Sequence, residues 1–311
     1  MKDRIHMDPA STLKRIPLAP HQNTSEITPT QDLFVLAHMG VPRVEPEDWC
    51  FEIGGLVDTP RVFHLDDLKS YPKHSVQSVH ECAGNPMTPE IPTRRVGNIV
   101  WSGVKLASLL DAVGVKPDAG YLWSFGLDTG EFEGIPVDQY CKDLPLWRVA
   151  AGDVLVAYEL NGAPLPPEHG YPARLFVPGF YGTNSVKWLQ RMELADRRLD
   201  GLFTTTFYND EMSSTAIDSR SRSKPVWEIA PESIIVSPAP DTRLSATRHT
   251  IEGWAWAATG IASVEISIDG GDSWRKARVN ERSEWSWQRF TFDWCPEQVG
   301  PATLSVRAFS T

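Results

Sequence analysis

DVLVAYELNGAPLPPEHGYPARLFVPGFYGTNSVKWLQRMEL, residues 153–194, is the stretch on which the reading of this chain turns. Asp153–Gly162 is a β-rich run that turns at Asn161-Gly162, and Ala173–Gly179 and Ser185–Leu194 are two further strand candidates. Among them stand the basic side chains His169, Arg174 and Lys187, close to two glycine-rich turns. Such donors, with backbone N–H groups of the Gly179–Ser185 loop, suit a phosphate-like group. Singly each is an ordinary solvated charge; together, in an acidic protein, they point to an anion site.

Towards the N-terminus, Phe51–Val57 alternates and turns at Asp58-Thr59-Pro60, as a strand entering a hairpin does. Phe63–Tyr71 reads as a short helix with acidic residues early. Ser75–Gly84 reads as a strand ending at the Gly84-Asn85-Pro86 turn, and Val104–Val115 has helical periodicity with a stop at Gly114. Residues 1–30, broken by Pro9, Pro17, Pro20 and Pro29, are expected to form an extended surface arm. Short helices among short strands make residues 31–225 an α+β domain. Asp210–Lys224 is polar and Ser/Thr-rich, a connecting loop. Beyond Pro225 the composition changes, with seven of the twelve tryptophans in residues 227–311. Evenly spaced strands there, with an Asp269-Gly270-Gly271 hairpin turn, predict an immunoglobulin-like β-sandwich over residues 226–311. An extra β-layer of one large domain is the alternative.

The formal charge of −10, from 30 basic and 40 acidic residues, speaks against nucleic acid as a partner. No apolar run is long enough for a membrane helix. Cys50, Cys82, Cys141 and Cys295 lie far apart, without the paired spacing of zinc, iron–sulfur or covalent haem sites. Neither an export signal nor a twin-arginine pair is visible, so a reducing, cytoplasmic setting is expected. Cys82 stands out, because it sits at a strand end beside Ala83 and Gly84, whose small side chains let a large group approach its sulfur. A lone cysteine is more often a buried inert residue.

Cys82-Ala83-Gly84-Asn85, Trp101–Leu106, the run from Ala157 to Gly182 and Ser185–Leu189 together resemble the molybdopterin-binding domain of the sulfite oxidase family. The tail resembles that family's immunoglobulin-like dimerisation domain, and the likeness spans residues 31–311. It implies a molybdenum-molybdopterin oxidoreductase that transfers an oxygen atom to or from a small substrate. Cys82 would be the metal's thiolate ligand, a soft anion suited to such a metal. By the same resemblance His169, Arg174 and Lys187, with Val186 beside them, contact the pterin and its phosphate. Phe34 and His38, of the FVLAH run, and Asp128 join the cofactor-binding set. Tyr208 falls where the family carries a catalytic tyrosine beside the metal; an interdomain packing tyrosine is its alternative reading. A homodimer is implied, and a separate electron carrier, since the chain shows no haem- or flavin-binding domain.

The chain departs from the family pattern at three places. Leu36 stands where a substrate-contacting arginine is usual, Pro86 and Met87 replace a pair of arginines, and Gln288 and Arg289 replace or shift another. Charge-assisted hydrogen bonds contribute ~1.5–3 kcal/mol each, so losing two weakens oxyanion binding by about 10²–10⁴. Arg94, Arg95 or Arg289 could restore a charge. The substrate is therefore a sulfite-like oxyanion or a less anionic S- or N-oxide. Two other readings stay open: a non-catalytic binding or structural protein that keeps the fold, and thiol catalysis by Cys82 with His80 or His169 as base.

Overall fold

The structure, a computed structural model, describes residues 6–7, 15, 17–86, 91–211, 223–296 and 299–311. Its principal strands and helices run β1 (Cys50–Gly55), β2 (Arg61–His64), α1 (Leu65–Ser70), β3 (His74–Glu81), β4 (Val96–Lys105), α2 (Leu106–Val113), β5 (Tyr121–Gly126), β6 (Cys141–Pro145), β7 (Leu155–Leu160), β8 (Arg174–Phe176) and β9 (Leu189–Ala195). Five more strands follow: β10 (Glu232–Ser237), β11 (His249–Trp256), β12 (Ile261–Ser267), β13 (Gln288–Trp294) and β14 (Ser305–Ser310).

The chain divides into two units, and the division does not follow sequence order. The first comprises Met1–Arg15, Val35–Val76 and Val100–Trp227; the second comprises Ile16–Phe34, Gln77–Ile99 and Glu228–Thr311. The last of these divisions falls between Trp227 and Glu228. The arm expected over residues 1–30 differs: from Pro17 on it is built into the second unit. There the Trp254 and Trp287 indoles donate to the carbonyls of Asn23 and Glu26, and Asn23 and Thr28 are buried. An extended segment needs partners for its main chain, and these tryptophans supply two of them.

In the first unit one sheet has the order β6-β5-β9-β1-β2, all antiparallel except β9 on β1. The β1–β2 hairpin pairs Cys50 with His64, and His64 then caps α1. A second sheet carries β7 between β4 and the short Ala163–Pro164 strand, with β8 also pairing β7 and β3 beside β4. Helix α2 buries Leu106, Leu109, Leu110 and Val113, a single i, i+3, i+4, i+7 stripe, and ends where Gly114 takes φ 70°. The core gathers Trp49, Phe51, Phe63, Leu109, Val156, Trp188 and Phe203.

The second unit contains two antiparallel sheets, β10-β11-β13 with Arg278–Val279, and β14-β12 with Arg275–Lys276. Ile251, Val264, Ile266 and Phe290 form its core, the sandwich read from the tail. Two strands start later than their sequence suggests. β9 begins at Leu189 because Trp188 adopts φ 49°, and β13 begins at Gln288, after the Ser283–Ser286 turn. Met87 and most of the Asp210–Lys224 connector lie outside the described residues.

Candidate active site

Within the first unit, the residues of the 153–194 stretch converge as their types suggest. Gly170, at φ 106°, lets the chain fold back so tightly that a Cβ there would lie 3.1 Å from the Cβ atoms of both Arg174 and Lys187. Arg174 is buried, its ring neighbour is Trp101, and its N–H groups reach the carbonyls of Leu175, His169 and Ser185 at 3.3, 3.0 and 2.7 Å. Burial pulls its pKa down to about 9, which leaves the guanidinium charged at neutral pH. Arg174 thus spends three donors on holding the two glycine-rich turns together.

Lys187 is buried and donates to the carbonyls of Leu36 and Glu168 at 3.0 and 3.1 Å. Burial, then the charge of Arg174, pushes its ammonium down, while burial pushes the carboxyl of neighbouring Asp128 up. The Val186 side chain is fully buried, and its carbonyl accepts the Leu175 N–H at 2.8 Å. His169 is neutral, driven down to about 2 by burial and by Lys187, Arg174 and Arg15. Its Nε2 is buried with no hydrogen-bond partner. A buried polar atom of this kind calls for a partner, and a ligand is the simplest one.

A second cluster of the same unit surrounds His38. Its Nε2 lies 2.6 Å from the Tyr208 hydroxyl, its ring stacks on Tyr140 at 5.4 Å, and Phe132 and Phe203 close the cage. Tyr208 follows a π-helical turn, Leu202–Thr206, and takes φ 62°, a conformation non-glycine residues seldom adopt. Burial, then Lys187 and Lys142, lowers His38 to about 4, so the imidazole is neutral. Lys142 itself, buried on β6, is a residue the sequence reading passes over, since a lysine in an alternating strand reads as solvent-facing.

Cys82 and Phe34 belong to the second unit, so the site residues named from sequence fall in both units. The Cys82 loop is fixed by its own main chain: Cys82 N–H donates to Arg95 O at 3.0 Å, and Asn85 N–H to Cys82 O at 2.9 Å. Asn85 ties the strand to the return segment, donating to Glu81 at 2.9 Å and accepting from Arg95 N–H at 2.7 Å. The other Glu81 oxygen accepts the Trp256 indole N–H at 2.8 Å. Burial raises the Cys82 thiol, while the Gly84 N–H at 3.4 Å and the Arg95 guanidinium favour its thiolate. Phe34 stacks on His80 at 5.4 Å.

These residues fit the cofactor that the resemblance implies. In the second unit Cys82 offers a soft sulfur flanked by small residues, and in the first unit the orphaned His169 Nε2 is a buried polar atom that a ligand would satisfy. Among the described residues, no group of three or more His, Cys, Asp or Glu is placed to hold a bare metal ion. The tail's suspected anion arginine, Arg289, is instead ion-paired with Glu252 on the neighbouring strand.

Residues 38–203 match the family described as the oxidoreductase molybdopterin binding domain, and residues 223–303 match the Mo-co oxidoreductase dimerisation domain. The mitochondrial sulfite oxidase of Drosophila melanogaster is 33% identical over 281 residues, covering 82% of this chain and 47% of that protein. The sulfite oxidase of Arabidopsis thaliana is 30% identical over 305 residues, 86% of this chain and 77% of that protein. The chain spans about half the length of the animal sulfite oxidases it matches. The crystal structure of the sulfane dehydrogenase SoxCD from Paracoccus pantotrophus superposes with a TM-score of 0.79 at 31% identity, covering 93% of this chain and 74% of that one.

Proposed function

The chain belongs to the sulfite oxidase family of molybdopterin oxidoreductases, and on that premise we propose that it oxidises or reduces a small sulfur-containing anion at a molybdenum cofactor held through Cys82. The single observation that carries this reading is the environment of the Cys82 sulfur, which a backbone N–H and the Arg95 guanidinium both approach. When bound, the cofactor supplies two-electron redox chemistry and an oxygen atom to exchange. The protein's own part is to bind, orient and exclude water. Lys187 and the neutral His169 would hold the pterin, Arg174 keeps their turns in register, and Asp128 and Val186 would support Lys187. His38, at 2.6 Å from its hydroxyl, would orient Tyr208, which takes the place of the family's tyrosine.

Among the arginines that could replace those missing at Leu36, Pro86 and Met87, Arg95 is the best placed. Arg94 turns to the carbonyls of Ile91 and Thr93, and Arg289 to Glu252. Arg95 donates to Gly84 O at 3.1 Å and makes no ion pair among the described residues, leaving other N–H groups for an anion. A homodimer, an external one-electron carrier and a cytoplasmic setting complete the proposal; the matched dimerisation domain supports the first.

The test is sulfite-dependent reduction of an artificial one-electron acceptor by protein whose molybdenum content has been measured. Turnover by the wild type, with loss of both metal and turnover in Cys82→Ser, is the expected result. A Cys82→Ser protein that stays loaded and active would overturn the assignment. A loaded wild type inert towards sulfite, and active towards an S- or N-oxide, would move the substrate class to neutral oxides.

A further inference from the structure

Lys142 is buried in strand β6, 2% exposed, and makes no ion pair among the described residues. Its ammonium donates to the Phe203 carbonyl at 2.8 Å and lies 5.2 Å from the centroid of the Tyr208 ring. The adjacent carboxylate, Asp143, is taken by Arg198 in a bidentate pair at 2.7 and 3.1 Å. A buried charge with one hydrogen bond and an aromatic face is expensive, because desolvation is offset only in part. Chains retain such a charge where the surrounding groups use it. Here the two contacts reach both ends of one device. Phe203 is in the π-helical turn, and Tyr208 is the strained residue that follows it.

We propose that Lys142 is a positioning residue for the Tyr208–His38 pair. Its hydrogen bond fixes the π-helical turn that delivers Tyr208, and its cation holds the tyrosine ring by the π-face. The same charge also discourages a second one on His38. The charged and titratable groups facing His38 are Lys187, Lys142, Tyr140 and Tyr208; those facing Lys142 are Asp143, Arg198 and Cys141. With His38 neutral, its Nε2 and the Tyr208 hydroxyl share one hydrogen bond. Lys142 acts through the Phe203 turn and Tyr208. The inference rests on the reading above, in which Tyr208 works on the substrate.

The test compares Lys142→Met, which keeps the length and removes the charge, with Lys142→Arg, which keeps the charge. Two measurements are made on the full chain. Steady-state kinetics of the molybdenum-loaded enzyme should show kcat lowered about tenfold in Lys142→Met with KM within twofold, and most of the loss recovered in Lys142→Arg. NMR titration of histidine-labelled protein, with His38→Gln identifying the signal, should show His38 titrating about one pH unit higher in Lys142→Met and unmoved in Lys142→Arg. A wild-type His38 titration in Lys142→Met overturns the proposal whatever the kinetics, because a merely structural role would leave the imidazole alone. The NMR result does not depend on turnover, so failure of the molybdenum reading and failure of the Lys142 assignment are told apart.

Discussion

The Nε2 of His38 lies 2.6 Å from the hydroxyl of Tyr208, although 170 residues separate them in the chain. Neither residue is placed by a regular helix or strand of its own. His38 sits in a cage of Phe132, Tyr140 and Phe203, and Tyr208 emerges at φ 62° from a π-helical turn. Strain at such a position is tolerated where the surroundings over-determine it.

Tyr208→Phe removes one hydroxyl and leaves the ring. We expect kcat to fall about 10²-fold, the low end of what a positioned proton-bearing group contributes. Folding stability should change by only about 1 kcal/mol, the net value of one hydrogen bond. Steady-state kinetics alongside urea denaturation separates the two effects; an unchanged kcat would return Tyr208 to a packing role.

Arg95→Gln should raise KM or the inhibition constant for sulfur oxyanions about 10–100-fold with little change in kcat, as loss of one charge-assisted hydrogen bond predicts. Arg95→Lys should recover part of it. Titration with sulfate as a competitive, unreactive anion checks the binding arm without turnover. Equal affinity in all three proteins would remove Arg95 from anion recognition.

Glu232 is buried with one carboxylate oxygen unpartnered, and burial raises its pKa to about 7. The folded state then holds a proton that the unfolded chain releases near its ordinary value of 4.5. Between those values the folded form binds more protons, so stability falls as pH rises and levels off above the folded pKa. Glu232→Gln should flatten this decline and melt higher than the wild type at pH 8. Thermal melts from pH 5 to 8 decide it, and parallel curves would contradict the assignment.

Gly170→Ala forces a side chain into φ 106° and against the Cβ atoms of Arg174 and Lys187 at 3.1 Å. Strain and overpacking of this kind cost about 1–3 kcal/mol each. Because the same turn aims His169 Nε2, we expect weaker cofactor retention as well as a lower melting temperature. A variant that melts lower yet keeps full molybdenum after gel filtration would confine Gly170 to the fold.

The sequence by itself determined the elements whose periodicity is local. The α2 stripe, the β1–β2 hairpin and the tail strands can be read because burial on one face leaves a regular imprint of apolar residues. It also determined the family, since Cys82-Ala83-Gly84-Asn85 and the 153–194 stretch occur in order. Strand β4 escaped, because Val96–Lys105 is buried on nearly every residue and shows no alternation.

Only the tertiary structure decided which distant groups meet. Residues 17–30 look like a loose arm until Trp254 and Trp287 take their carbonyls. Arg94, Arg95 and Arg289 are equivalent on paper; their partners alone separate them. Lys142 carries no local signal, since its burial is set by the π-helical turn and by Tyr208, residues more than sixty positions away. Periodicity records how a segment meets the core, whereas a site is assembled from side chains whose separation in sequence leaves no periodic trace.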